Sequence, residues 1–148
     1  MTEKVNTMAD QFTILIADRN RHVREFLRRE LISAGYRVQL AKDGREVLRM
    51  ASVNDPPELL ILDLDMPYVS GMTILDELQR QKSPLPVVIH TFYTEYSNHP
   101  AVQRAAGFLE KRGNNIDGFM ATVKQVLRKF YPHRFLPEPG NGEQRMAW

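Results

Sequence analysis

Cysteine is absent from all 148 residues, which removes disulfides, thiol catalysis and cysteine-ligated metals. Long hydrophobic runs are missing too. The first apolar run, FTILIA from Phe12 to Ala17, is far too short for a signal sequence or a membrane span. No block of lysine and arginine forms a basic arm. The 20 basic residues nearly balance the 18 acidic ones, for a net charge of +2, so nothing in the charge implies a nucleic-acid partner. There is no glycine-rich phosphate loop, and His22, His90, His99 and His133 lack the spacing of a zinc site. His90, inside an apolar run, reads as a packed core residue. What remains is a one-domain chain, 43% apolar and 26% charged, with the composition of a soluble protein, read as cytoplasmic.

Periodicity divides this chain into alternating elements. Residues 1–11 are polar and unpatterned and read as a flexible lead. FTILIA is a strand. From Asn20, a natural N-cap, Val23, Phe26, Leu27, Leu31 and Ala34 recur at helical spacing until Gly35 stops them. YRVQLA alternates like a strand with one wet face, and Asp43-Gly44 opens a second helix carrying Val47, Leu48 and Ala51. LLIL, Leu59 to Leu62, is the continuous apolar run of a strand buried on both faces. A third helix begins at Ser70 or Gly71, VVIHT from Val87 to Thr91 is a fourth strand, and Glu95 to Ala106 is expected to hold a fourth helix on a weak stripe. GFLEK is the fifth strand. The last helix carries Ile116, Phe119, Val123, Val126, Leu127 and Phe130 on one face. Prolines and glycines from Pro132 onward argue against further regular structure, so residues 132–148 read as a flexible tail. Strands alternating with helices predict one α/β domain over 12–131, a doubly wound five-stranded parallel sheet with five helices.

In such sheets ligands bind beyond the carboxyl ends of the strands, where the strand order reverses. Four polar residues fall at those ends: Asp18, Asp63, Thr91 and Lys111. Any one of them is unremarked where a strand meets water. Two acids, a hydroxyl and an ammonium on a single rim are a constellation with chemistry in it. The stretch LLILDLDMPYVSG adds a further acid, Asp65, a Met66-Pro67 turn and a closing Gly71.

On these residues the chain resembles the receiver domain of two-component response regulators, a flavodoxin-like fold, over roughly residues 12–131. The strongest match is D-x-x-M-P-x-x-x-G, from Asp63 to Gly71. The resemblance implies a phosphorelay signalling module rather than an enzyme, with Asp63 as phosphoacceptor, Thr91 as switch hydroxyl, Lys111 as the site lysine and Phe108 as the aromatic that moves on activation. It implies a Mg²⁺ site built on Asp18, Asp63 and the residues near them. It further implies a histidine kinase or phosphotransfer protein upstream, a downstream protein target and neither membrane nor nucleic acid. Output would pass through the fourth helix, fifth strand and fifth helix, a face also open to homodimerisation. No output domain is read from the sequence, so a free-standing receiver is expected.

The chain departs from this pattern at several positions. Arg19 stands where the family carries a second acid, a usual direct metal ligand. Either its guanidinium points to solvent, or it lies at the metal position and stands in for the ion's charge. Asp65 either restores a metal ligand or pairs with Arg19. Asp18, Asp63 and Asp65 against Arg19 and Lys111 leave the pocket less negative than the family's usual set, so weaker Mg²⁺ binding is expected. Phe92 follows Thr91 where a small residue is usual, and either crowds the entrance or turns outward. Arg112 replaces the usual proline after Lys111, which removes the reason for a cis peptide there. Two alternatives stay open: a pseudo-receiver that works by docking alone, and a haloacid-dehalogenase-like phosphatase reading Asp63-Leu64-Asp65 as DxD, against which Pro67 and the lack of a later acidic pair both count.

Overall fold

The structure, a computed structural model, describes residues 12–112 and 115–135. The expected N-terminal lead, and the tail from residue 136, lie outside the described residues. Strands β1 (Thr13–Ala17), β2 (Arg37–Ala41), β3 (Leu59–Leu62), β4 (Val87–Thr91) and β5 (Gly107–Glu110) form one parallel sheet in the order β2-β1-β3-β4-β5. Helices α1 (Arg21–Ser33), α2 (Gly44–Ala51), α3 (Gly71–Arg80) and α4 (Pro100–Gln103) make the crossovers, and α5 (Ile116–Phe130) follows β5.

Strand alternation builds two cores. Ile14 and Ile16 of β1, Leu59 and Ile61 of β3 and Val88 of β4 face α1 and α5, meeting Leu27, Leu31, Phe119, Val123 and Leu127. Their neighbours Leu15, Ala17, Leu60, Leu62 and Ile89 face the other way, onto Val47, Ile74, Leu75 and Val102. Both faces of β3 are therefore dry, as its unbroken apolar run requires.

Local chemistry sets the helix ends. The Asn20 side chain accepts from the backbone N–H groups of His22 and Val23 and starts α1. Gly35, at a φ of 100°, ends its turn in the left-handed region. Ser70 caps α3.

One expectation is narrowed here and one corrected. Glu95 to Ala106 holds a fourth helix, but a short one: Thr94–Tyr96 form a 3₁₀ turn and α4 has four residues, beginning at Pro100. Only Ala101 and Val102 of α4 are buried, which is too little apolar surface to extend it. Regular structure also continues past Tyr131, because Pro132–Phe135 form a 3₁₀ turn whose Phe135 ring stacks on Phe12.

Candidate functional site

The sheet order puts β1 between β2 and β3, so the chain reverses direction at β1 and leaves a crevice beyond the carboxyl ends of β1 and β3. The sheet ladder continues one residue past three of its strands. Asp18 donates its N–H to the Ala41 carbonyl, Asp63 donates to Ala17, and Lys111 donates to Thr91. Each site residue is thus held by the ladder of the strand next to its own.

The side chains converge. Lys111 Nζ lies 2.6 Å from Asp18 Oδ2 and 2.7 Å from Asp63 Oδ2, with all three side chains almost wholly buried. Thr91 Oγ1 donates to Asp63 Oδ1 at 3.1 Å, and the Asp65 backbone N–H reaches the same oxygen at 3.1 Å. Asp18 Oδ1 accepts from the Asn20 N–H at 2.9 Å. All four carboxylate oxygens are therefore bonded within the protein.

Burial works against a charge on Lys111, but its bonds to Asp18 and Asp63 outweigh that and hold the ammonium above its ordinary pKa. Burial also pushes the Asp18 carboxyl up, against the pull of Lys111. We take the ion-paired form as the resting one, because two carboxylates share a single ammonium at short range.

Gly71, which closes the motif, has a steric role. A Cβ there would lie 2.5 Å from the Asp63 carbonyl oxygen, and its N–H donates to the Leu64 carbonyl at 3.0 Å. The start of α3 thereby backs the loop that carries Asp63.

Arg19 and Asp65 lie further out. Arg19 Nη1 is 3.3 Å from Asp65 Oδ1, with side chains 55% and 41% exposed. Of the readings open for these two residues, the pairing is the one observed. An exposed pair of this kind contributes about 0–1 kcal/mol. Asp65 in turn raises the Tyr93 phenol above its ordinary pKa. Phe92 is turned outward, 56% exposed, while its ring centroid stays 5.4 Å from Lys111 Nζ. The Lys111–Arg112 peptide is trans. Phe108 does not join the pocket: it pairs in register with Ile89 and packs, half-buried, against the core on the α3 side.

Sequence reading did not single out Arg24. Its Nη1 donates to the Asp18 carbonyl at 2.7 Å and the Arg19 carbonyl at 3.1 Å, fixing the turn that presents both. The signal was its place one turn into α1. His90 is packed on Phe119 as expected, at 5.4 Å, but its buried Nδ1 has no hydrogen-bond partner among the described residues. Burial, and then the charge on Lys111, lower its pKa to about 4. A cleft of about 380 Å³ opens beside Lys111 between α1 and α5, bordered by Phe26, His90, Phe92 and Phe119.

The family comparison follows this geometry. Residues 14–124 match the model of the response regulator receiver domain. The chain belongs to that family. Response regulator MprA of Mycolicibacterium vanbaalenii is 33% identical over 131 residues, covering 88% of this chain and 54% of that protein. The chain thus spans about half the length of the curated relatives it matches. Among solved structures, response regulator TrrA of Thermotoga maritima in complex with Mg²⁺-BeF superposes with a TM-score of 0.72 at 29% identity, covering 78% of this chain and 99% of that one. The complex of histidine kinase ThkA with TrrA contains a chain matched at a TM-score of 0.70 and 29% identity, with 78% and 98% covered.

A receiver's divalent cation needs a set of oxygen ligands. Here Asp18 and Asp63 are both committed to Lys111, an arginine follows Asp18, and the Asp65 carboxylate is tied to that arginine. No group of three acidic or imidazole side chains is placed to hold a metal among the described residues. The residues present do not complete the set.

Proposed function

We infer that this receiver domain accepts a phosphoryl group on Asp63 from the phosphohistidine of a histidine kinase or phosphotransfer protein, and signals by docking to a protein target. One observation carries the reading: Asp63 has an ammonium on one carboxylate oxygen and the Thr91 hydroxyl on the other, at 2.7 and 3.1 Å. A carboxylate so placed is backed by positive charge.

In the transfer, an Asp63 oxygen forms a bond to phosphorus as the donor's N–P bond breaks, and the imidazole leaves with the electron pair. Lys111 stays within reach to offset the growing negative charge. Thr91 Oγ1 also accepts from the Tyr93 N–H, so a move of the hydroxyl toward a new phosphoryl oxygen would pull on the β4–α4 loop. Phe108, on the strand next to β4, is positioned to follow that move. With Arg19 in place of an acid, the pocket holds Mg²⁺ more weakly than a receiver with the full set.

The cleft beside Lys111 has Phe26 and Phe92 exposed at its border, an apolar surface suited to a donor protein approaching Asp63. The phosphatase alternative has no support in the site, since Asp65 serves Arg19 rather than facing a reacting centre.

Intact-mass measurement after incubation with a phosphodonor checks the proposal. A gain of one phosphoryl group is expected in the wild type and none in Asp63→Asn. A wild type that stays unmodified with every donor, Mg²⁺ included, leaves docking alone as the function.

A further inference from the structure

We propose that the Arg19 guanidinium takes the place of the divalent cation as counter-charge to the incoming phosphoryl group, so that the pocket handles a phosphoryl oxyanion without metal. The proposal deepens the phosphoacceptor reading above and rests on it.

Arg19 comes directly after Asp18, and Asp65 comes two residues after Asp63. Their 3.3 Å contact therefore joins the outlets of β1 and β3, just outside the buried carboxylates. The Arg19 backbone is fixed from below by Arg24. Among the described residues its side chain is held by a single exposed contact, which solvent weakens. A phosphoryl group offers several anionic oxygens in the geometry a guanidinium fits with two parallel hydrogen bonds, so it competes well for Arg19. Asp65, once released, stays partly exposed and solvated. Lys111 supplies the second positive charge from the buried side.

With phosphoramidate as donor, an Asp63 oxygen forms the O–P bond as the P–N bond breaks. The nitrogen, already protonated in phosphoramidate, departs with the electron pair of that bond as ammonia.

The test uses the full chain with phosphoramidate, in EDTA or in Mg²⁺, read by intact mass. The wild type is expected to be modified at the same rate in both. Arg19→Gln should lose about tenfold in EDTA, the scale of one charge-assisted hydrogen bond. Arg19→Asp, which restores the second acid, should become dependent on Mg²⁺. Inorganic phosphate binding in EDTA, followed by the backbone amide resonances of Asp65 and Thr91, gives a second readout that Arg19→Gln should abolish. A wild type modified only in Mg²⁺ overturns the inference and leaves the phosphoacceptor reading standing. A wild type never modified that still binds phosphate through Arg19 upholds the anion site and overturns the phosphoacceptor reading. Neither modification nor phosphate binding overturns both.

Discussion

The two ends of the sheet each hold an acid beside a base, half-buried at one and buried at the other, in opposite ways. At the amino end, Glu58 accepts from the Thr13 N–H at 2.6 Å and meets Arg134 at 3.1 Å, under a cover of Phe12, Tyr131 and Phe135. Arg134 also lies over the Phe12 ring, and the Tyr131 hydroxyl donates to the Glu58 carbonyl at 2.7 Å. Burial, and then the Glu58 charge, push the Tyr131 phenol up to about 12. The acid there completes the backbone of neighbouring strands and ties the end of α5 to β1. At the carboxyl end, two acids crowd one lysine, and the exposed Phe92 ring lies 5.4 Å from its ammonium. Pairing one acid with one base at one end closes a fold. Leaving one ammonium between two carboxylates at the other stores an imbalance that an incoming group can change.

Substitution can break that contrast. Lys111→Met should have the largest effect, because Asp18 and Asp63 would then be buried against each other without a cation; a loss of about 3–5 kcal/mol is expected in urea unfolding. Asp63→Asn should cost much less, since Asp18 still pairs with Lys111. Equal losses for the two variants would show that the imbalance has no energetic meaning.

His90 sharpens the comparison through pH. In the unfolded chain its imidazole titrates near 6.5, and in the fold at about 4, so the native state binds fewer protons between those values. Its contribution is fully present above pH 6.5 and is lost as pH falls toward 4, by up to about 3 kcal/mol. His90→Phe should flatten the pH dependence of unfolding in that window, and parallel curves for the two proteins would remove His90 as the source. At the amino end Tyr131→Phe should cost only about 1 kcal/mol, the value of one hydrogen bond, with phosphoryl uptake unchanged.

Most of the fold was legible because its signals are local. A strand buried on both faces must be apolar throughout, and LLIL is. The site was legible for a related reason: in a parallel sheet, residues following consecutive strands share a rim, so Asp18, Asp63, Thr91 and Lys111 could be grouped before any coordinate was known. The fourth helix is short because residues 95–100 are exposed, and within α4 only Ala101 and Val102 are buried. The turn at Pro132–Phe135 was missed because its partner, Phe12, lies at the far end of the chain.

The sequence by itself determined the order of elements, the turn after Asp63 and the replacement of an acid by Arg19, because period, turn chemistry and residue type are carried by neighbouring positions. Only the tertiary structure decided that Lys111 holds both acids at once, that Arg19 pairs with Asp65, and that Arg24 supports the turn between them. Those contacts join residues from different strands and helices, and whether a charge meets an ion pair, a backbone carbonyl or water depends on distances that packing alone sets.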